Sequence, residues 1–118
     1  MTLITRKQFQ QLLENGRAAQ EARRQDKDID PHPVVNLFTP DAGCTWLLTE
    51  IDPDDSDRAF GLCDVGHGFA DIGYVSLREI ASLRGQLGLA VERDRFFSAD
   101  KTLSVYAEEA RQHRGILS

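Results

Sequence analysis

The stretch from Cys44 to Val65, CTWLLTEIDPDDSDRAFGLCDV, decides the fold because two apolar segments flank an acidic, turn-rich connector. Residues 44–51 and 59–65 are predicted strands, and the connector DPDDSD is short enough to join antiparallel neighbours. Alternation places Thr45, Leu47 and Thr49 on one face of the first strand and Trp46, Leu48 and Glu50 on the other. Because both faces carry apolar residues, this strand is predicted to lie inside a sheet.

Further strands extend this hairpin in both directions along the chain. Residues 34–38 form a candidate strand, which the turn sequence TPDAG joins to the next one. A glycine-rich turn at 66–68 leads to a short strand at 73–75, and the segment GLAVERD offers a fifth, edge-like strand. The order predicts an antiparallel β-meander of about four or five strands.

A first helix is predicted to begin near residue 5, where Thr5 is a suitable N-cap and apolar residues follow at helical spacing. Its end has two possible positions. Asn15 and Gly16 suit a helix terminus, whereas the good helix formers after them allow the helix to continue to about Arg24.

Two more helices complete the predicted fold. Ser76 and Glu79 form the S-x-x-E pattern of a capping box, which starts a second helix. A last helix begins near residues 102–104. The sequence therefore predicts an α+β fold, with three helices packed on the antiparallel sheet.

The whole chain, residues 1–118, is expected to form a single domain. Its parts are an N-terminal helix and polar loop at 1–33, a core at 34–104 and a C-terminal helix at 102–114. A chain of this length buries enough surface to fold without disulfides or a structural metal.

Composition restricts the location of the protein. Apolar residues make up 41% of the chain, but no run approaches the ~18 residues of a membrane span, so we expect no membrane association. The first ten residues lack the apolar stretch of a secretory signal. Two cysteines do not make a disulfide framework, so we expect a cytoplasmic protein in which Cys44 and Cys63 are free thiols.

The net charge of −5 is unevenly distributed. Residues 1–27 carry six Lys or Arg and three Asp or Glu. Residues 28–57 carry no Lys or Arg but eight Asp or Glu, and residues 58–118 carry eight basic and eight acidic residues. Duplex DNA is bound through Lys and Arg that neutralise phosphates, so we expect no direct duplex DNA binding. An acidic middle region instead suits a basic protein partner.

The segment at 61–77, GLCDVGHGFADIGYVSL, contains residues that can ligate metals or catalyse reactions. A zinc site would need Cys44 beside Cys63 and His67, but the paired-ligand spacing of zinc sites is missing. Cys63 as a nucleophile with His67 as its base is also disfavoured, since no oxyanion-hole pattern accompanies them. We therefore expect no cofactor, with Cys63 as a small buried hydrophobe and Asp64, His67 and Asp71 in solvent.

The chain closely resembles the bacterial Domain of Unknown Function 2958 family over about residues 34–104. The matching motifs lie at Asn36–Pro40, Thr45–Glu50, Phe60–Leu62, Asp71–Ile80 and Val91–Asp94. Asn36 stands where the family commonly has Lys, and Asp71 stands where Glu is usual; both keep a polar group. The resemblance implies an accessory protein of plasmids, conjugative elements or phages, and it implies no particular chemistry.

Polar or amphipathic residues in the motifs and in the acidic region are candidates for an interaction surface. They are Thr45, Trp46, Glu50, Asp54, Asp55, Asp57, Asp71, Tyr74 and Arg93. Within this set, Trp46 is also expected in the core, and Glu50 with Arg93 as an ion pair between strands.

Two functions follow from these patterns. The leading one is a non-enzymatic accessory domain of a mobile genetic element that binds a protein partner, including the possibility of an acidic inhibitor of a host defence enzyme. The alternative is a small metal-dependent hydrolase or nuclease-like enzyme using Glu50, Asp64, His67 and Asp71. Convergence of these carboxylates around a metal would favour the enzyme.

Overall fold

The computed structural model describes residues 3–66, 68 and 70–116. The described residues form three helices and a five-stranded antiparallel sheet, which confirms the predicted α+β class. In chain order the elements are α1 (Arg6–Arg24), β1 (Val35–Phe38), β2 (Thr45–Asp52), β3 (Asp55–Asp64), β4 (Ala70–Ser76), α2 (Leu77–Ser82), β5 (Glu92–Arg93) and α3 (Leu103–His113).

The sheet has the strand order β4-β3-β2-β1-β5, so strands β1 to β4 form the predicted meander. Strand β5 pairs with β1 at the far edge, where Arg93 lies opposite Leu37. The hairpin between β2 and β3 is tighter than the sequence suggested. Asp52 pairs with Asp55, which leaves Pro53 and Asp54 as the turn. The Asp52 carboxylate accepts a hydrogen bond from the backbone N–H of Asp54 at 2.9 Å and stabilises that turn.

A β-bulge in β2 changes which face Glu50 occupies. Leu48 pairs with Gly61, but the next pair joins Glu50 to Phe60, so Thr49 is the extra residue. Because the bulge reverses the alternation, Glu50 shares a face with Leu47 and not with Trp46. The predicted assignment of Glu50 was therefore wrong, since alternation alone does not account for an inserted residue.

The two faces of the sheet support two hydrophobic cores. Helices α1 and α2 cover one face, where the buried residues are Ile4, Leu12, Val35, Leu37, Trp46, Leu48, Ile51, Ala59, Ile80 and Val91. Helix α3 covers the other face, where the buried residues are Leu47, Leu62, Leu103, Tyr106 and Ala110. Strand β2 contributes to both cores, which confirms its predicted central position.

Helix α1 continues past Asn15 and Gly16 to Arg24, so neither residue ends it. Thr5 and Gln8 form a reciprocal capping box at its start. Gly16 is buried against strand β2, where a Cβ at this position would lie 1.9 Å from the carbonyl oxygen of Ile51. The Asn15 side chain donates a hydrogen bond to the carbonyl of Thr49 at 2.9 Å. Both residues therefore serve the contact between helix and sheet.

The segment between α1 and β1 contacts helix α3 on the opposite face of the sheet. The backbone N–H of Leu103 donates to the carbonyl of Pro31 at 3.0 Å, and the N–H of Ser104 donates to the Asp30 carboxylate at 3.0 Å. Thr102 makes no side-chain capping bond, so Asp30 supplies an acceptor at the start of α3. The hydrogen bonds to α3 form a tether for this segment. It places residues 27–29 next to Glu50 of strand β2.

Helix α2 begins where the capping box predicted, although only half of the box is formed. The Ser76 hydroxyl accepts a hydrogen bond from the backbone N–H of Glu79 at 3.1 Å. The Glu79 carboxylate makes no reciprocal bond to Ser76 among the described residues. Instead, the Ser76 hydroxyl donates to Asp57 at 2.5 Å, and Asp57 also accepts from the N–H of Arg78 at 2.8 Å. Asp57 of strand β3 thus completes the N-terminal cap of α2.

We expect Ser76→Ala to lower the free energy of unfolding by about 1–2 kcal/mol, because an N-cap hydroxyl is lost and Asp57 loses its donor. Chemical denaturation measures the change. Ser82→Ala is the matched control, since its exposed hydroxyl only donates to the carbonyl of Glu79 within the helix. Equal unfolding midpoints for the two variants would contradict the capping role.

Candidate functional site

The predicted surface residues do not form one continuous surface. Trp46 is 3% exposed and Glu50 is 7% exposed, so both are buried, as expected for Trp46. Arg93 donates a hydrogen bond to the carbonyl of Leu3 at 3.1 Å on the α1 side of the sheet. Because Glu50 faces the α3 side, the expected ion pair between Glu50 and Arg93 does not form.

Some of these residues do come together in a groove where the start of β3, the end of β4 and helix α2 meet. The groove has a volume of about 450 Å³. Four predicted residues line it, namely Trp46, Asp55, Asp57 and Tyr74. Thr45, Asp54 and Asp71 lie outside this lining, with Asp54 exposed at the hairpin turn and Asp71 exposed on β4.

The charged residues that line the groove are mainly acidic. Asp55 and Glu79 are exposed, and Asp57 stands between them at the start of α2. Hydrogen bonds from the Ser76 hydroxyl and from the backbone of Arg78 lower the pKa of Asp57, so its carboxylate stays charged. The single cation among the lining residues, Arg58, lies over the Tyr74 ring with its guanidinium carbon 3.9 Å from the ring centroid.

Strand β4 forms one wall of the groove and is also an edge of the sheet. No described strand lies beyond it, so its outer backbone groups face away from the sheet. The strand contains neither Lys nor Pro, which commonly protect an edge, and its one charged residue is Asp71. Ile72 and Tyr74 on this strand are 47% and 42% exposed.

A second, smaller pocket surrounds Glu50, between strands β2 to β4, the last turns of α1 and the segment that follows it. Its volume is about 140 Å³. The lining residues are Ala19, Arg23, Lys27, Asp28, Ile29, Glu50, Phe60 and Tyr74. The bulge turns Glu50 toward Phe60, and the α1–β1 segment closes the other side. Sequence reasoning found Glu50 and Tyr74 but missed Arg23 and Lys27, because Lys27 lies beyond the end of α1 and the left-handed backbone of Asp26 sets its position.

Burial governs the chemistry of Glu50. Its carboxylate accepts no hydrogen bond from any described residue. Desolvation raises its pKa; the charge of Arg23 lowers it and the charge of Asp52 raises it, both less strongly. A buried carboxylate without a donor is destabilising when it is ionised.

We expect Glu50→Gln to stabilise the protein by about 1 kcal/mol at neutral pH. Because the folded pKa is raised, the stability that Glu50 contributes is present below its unfolded pKa and lost as pH rises through its folded pKa. The advantage of the variant should therefore shrink as the pH falls toward 4. Thermal unfolding across this range measures it, with Glu14→Gln on the exposed face of α1 as control. A constant difference at every pH would contradict the prediction.

The structure does not bring together the carboxylates of the hydrolase alternative. Asp64 is buried, contrary to the expectation that it faces solvent, and its two oxygens accept hydrogen bonds from the backbone N–H groups of Gly66 and Ile116 at 2.9 and 3.1 Å. Asp71 is paired with Cys63 and so faces the opposite side of the sheet. His67 lies outside the described residues. Among those that are described, no group of three His, Cys, Asp or Glu residues is placed to hold a metal.

The two cysteines lie on one face of the sheet. Cys63 is opposite Trp46, and Cys44 lies two residues before Trp46, which makes the thiols diagonal neighbours. Both are free and half-buried against the core of helix α1. Burial raises the pKa of the Cys63 thiol, which disfavours the reactive thiolate.

Fold and site together define an α+β fold in which helices cover both faces of a five-stranded sheet and a groove lined by three carboxylates adjoins one sheet edge. The chain belongs to the family described as "Protein of unknown function (DUF2958)", whose model matches residues 3–117. The match thus extends the resemblance at both ends of the chain. No curated protein and no solved structure matches. In the part of the chain that the structure describes, no helix has the length and apolar character needed to cross a membrane.

Proposed function

We propose that the protein is a non-enzymatic interaction domain that binds a basic, extended segment of a partner protein along strand β4 and the adjoining groove. The observation that carries this proposal is the coincidence of an unpaired sheet edge with a groove whose charged residues are mainly acidic. An extended peptide that adds a strand to such an edge gains backbone hydrogen bonds, and its side chains give specificity through nearby pockets.

Charge determines the chemistry of the partner. Asp55, Asp57 and Glu79 line the groove, whereas Arg58 already lies against Tyr74. A Lys or Arg on the bound segment therefore meets carboxylates, while phosphates would be repelled. This supports a protein partner over duplex DNA.

The biological setting follows from the family resemblance. An accessory role for a mobile genetic element in the bacterial cytoplasm suits a small acidic domain with a protein partner. Inhibition of a host defence enzyme is one form of this role, since such enzymes carry basic surfaces that bind nucleic acid.

Affinity capture from the native host, compared between matched variants, tests the proposal. Asp55→Lys with Glu79→Lys reverses the groove charge, whereas Glu14→Lys with Glu108→Lys makes the same change on exposed parts of α1 and α3. We expect a partner that the wild type and the control pair retain and the groove pair loses. Hydrogen exchange of the complex should show protection of residues 70–76. Protection confined to another surface, or retention by the groove pair, would contradict the proposal.

A further inference from the structure

The pocket around Glu50 has features that the proposed partner binding does not use. Glu50 is more than nine-tenths buried, lines the pocket and accepts no hydrogen bond from the described residues. Buried carboxylates in folded proteins are nearly always paired with donors. An unpaired one at the wall of an open pocket is a position at which a ligand can supply the missing donors.

The geometry limits the size and shape of such a ligand. The volume of about 140 Å³ is close to the ~150 Å³ of a cavity that accepts one benzene ring. Phe60, which pairs with Glu50 across the two strands, supplies an aromatic wall. A flat group of about six non-hydrogen atoms therefore fits, with its edge toward Glu50 and its face against Phe60.

The charges identify the two ends of the ligand. A carboxylate binds a planar edge with two neighbouring N–H donors through two parallel hydrogen bonds. Arg23 and Lys27 also line the pocket, and both are exposed to solvent, so they suit an anionic group that stays hydrated. Asp28 beside them disfavours a large anionic charge and is consistent with a single phosphate or carboxylate.

We propose that this pocket binds a small planar molecule that presents two adjacent N–H donors to Glu50 and an anionic group to Arg23 and Lys27. Two sources share this chemistry. One is a guanine mononucleotide, whose six-membered ring carries the neighbouring N–H and NH₂ donors and enters the pocket, while the rest of the base, the ribose and the anionic phosphate extend from its open mouth toward Arg23 and Lys27. The other is a guanidino acid, with a guanidinium at one end and a carboxylate at the other.

Titration of the full chain with four probes, followed by amide chemical shifts, tests the site. The probes are GMP, guanidinoacetate, AMP and guanosine. At ~10 mM, a ligand with a Kd near 1 mM fills about nine-tenths of the sites. We expect GMP or guanidinoacetate to shift amides around residues 19–29, 50 and 60, and AMP, whose matching edge has one donor and one acceptor, to bind at least ten-fold more weakly. Guanosine should bind more weakly than GMP because it lacks the anion.

The response to each probe decides the source and the proposal. Binding of GMP alone assigns a nucleotide, and binding of guanidinoacetate alone assigns a guanidino acid. Glu50→Gln should lower the affinity at least ten-fold without loss of folding, and Arg23→Gln with Lys27→Gln should remove the difference between GMP and guanosine. No shifts with GMP and guanidinoacetate, equal binding of AMP, or unchanged affinity in Glu50→Gln would each overturn the proposal.

Discussion

Gly16→Ala should destabilise the protein by about 3 kcal/mol, although alanine is the better helix former. The new methyl group would lie 1.9 Å from the carbonyl oxygen of Ile51 and 3.2 Å from Pro53 Cδ. The first of these contacts is to the backbone of β2, which cannot rotate aside as a flexible side chain can. Helix α1 must therefore move away from the sheet and lose contacts in the core that it covers.

Urea denaturation of the variant measures this effect. Ala18→Gly is an informative control because position 18 is exposed on the same helix, where the substitution should cost only about 1 kcal/mol. Ala18→Gly removes a methyl group and Gly16→Ala adds one, and we expect both substitutions to lower the free energy of unfolding. A higher midpoint for Gly16→Ala would show that intrinsic propensity outweighs the contact with Ile51.

Gly16 also shows why the end of α1 was not predictable. Locally, Asn followed by Gly is typical of a helix terminus. In the fold, the same two residues permit close approach to β2 and a hydrogen bond to Thr49. Whether a glycine ends a helix or lets it approach a sheet depends on what packs against it, and that information is not local.

Elements with strong local signals were predicted well. The β2–β3 hairpin and the N-cap of α2 depend on residues close together in sequence, and both are confirmed. Signals were weaker at the ends of elements. Gly85 is a residue type that commonly ends a helix, but α2 ends earlier, at Ser82, and Gly85 packs against Asp41.

The candidate site was predictable only in part. Asp55, Asp57 and Tyr74 were selected as polar residues, and the groove brings them together. The pocket around Glu50 depends on two events that alternation does not indicate, namely the bulge at Thr49 and the tether between Asp30 and Ser104. Both are long-range consequences of packing.

Gly61→Ala is the second substitution from which we expect a large effect, again about 3 kcal/mol of destabilisation. Gly61 lies in the middle of β3, opposite Leu48 and beside the bulge. A Cβ there would lie 2.0 Å from the carbonyl oxygen of Leu47 and 2.8 Å from the Cα of Leu48. The neighbouring strand would have to shift, and both hydrophobic cores would be disturbed because β2 contributes to both.

Gly73→Ala provides the matched control, since Gly73 lies directly opposite Gly61 on the edge strand. A Cβ at Gly73 meets nothing within 4 Å. Its backbone needs no left-handed conformation, so alanine should be neutral or stabilise the fold by up to about 1 kcal/mol through the unfolded state. Chemical denaturation of both variants should therefore give midpoints on opposite sides of the wild type, or one lowered and one unchanged. If both fell equally, the cost would come from the loss of glycine in the sheet and not from the contact with Leu47.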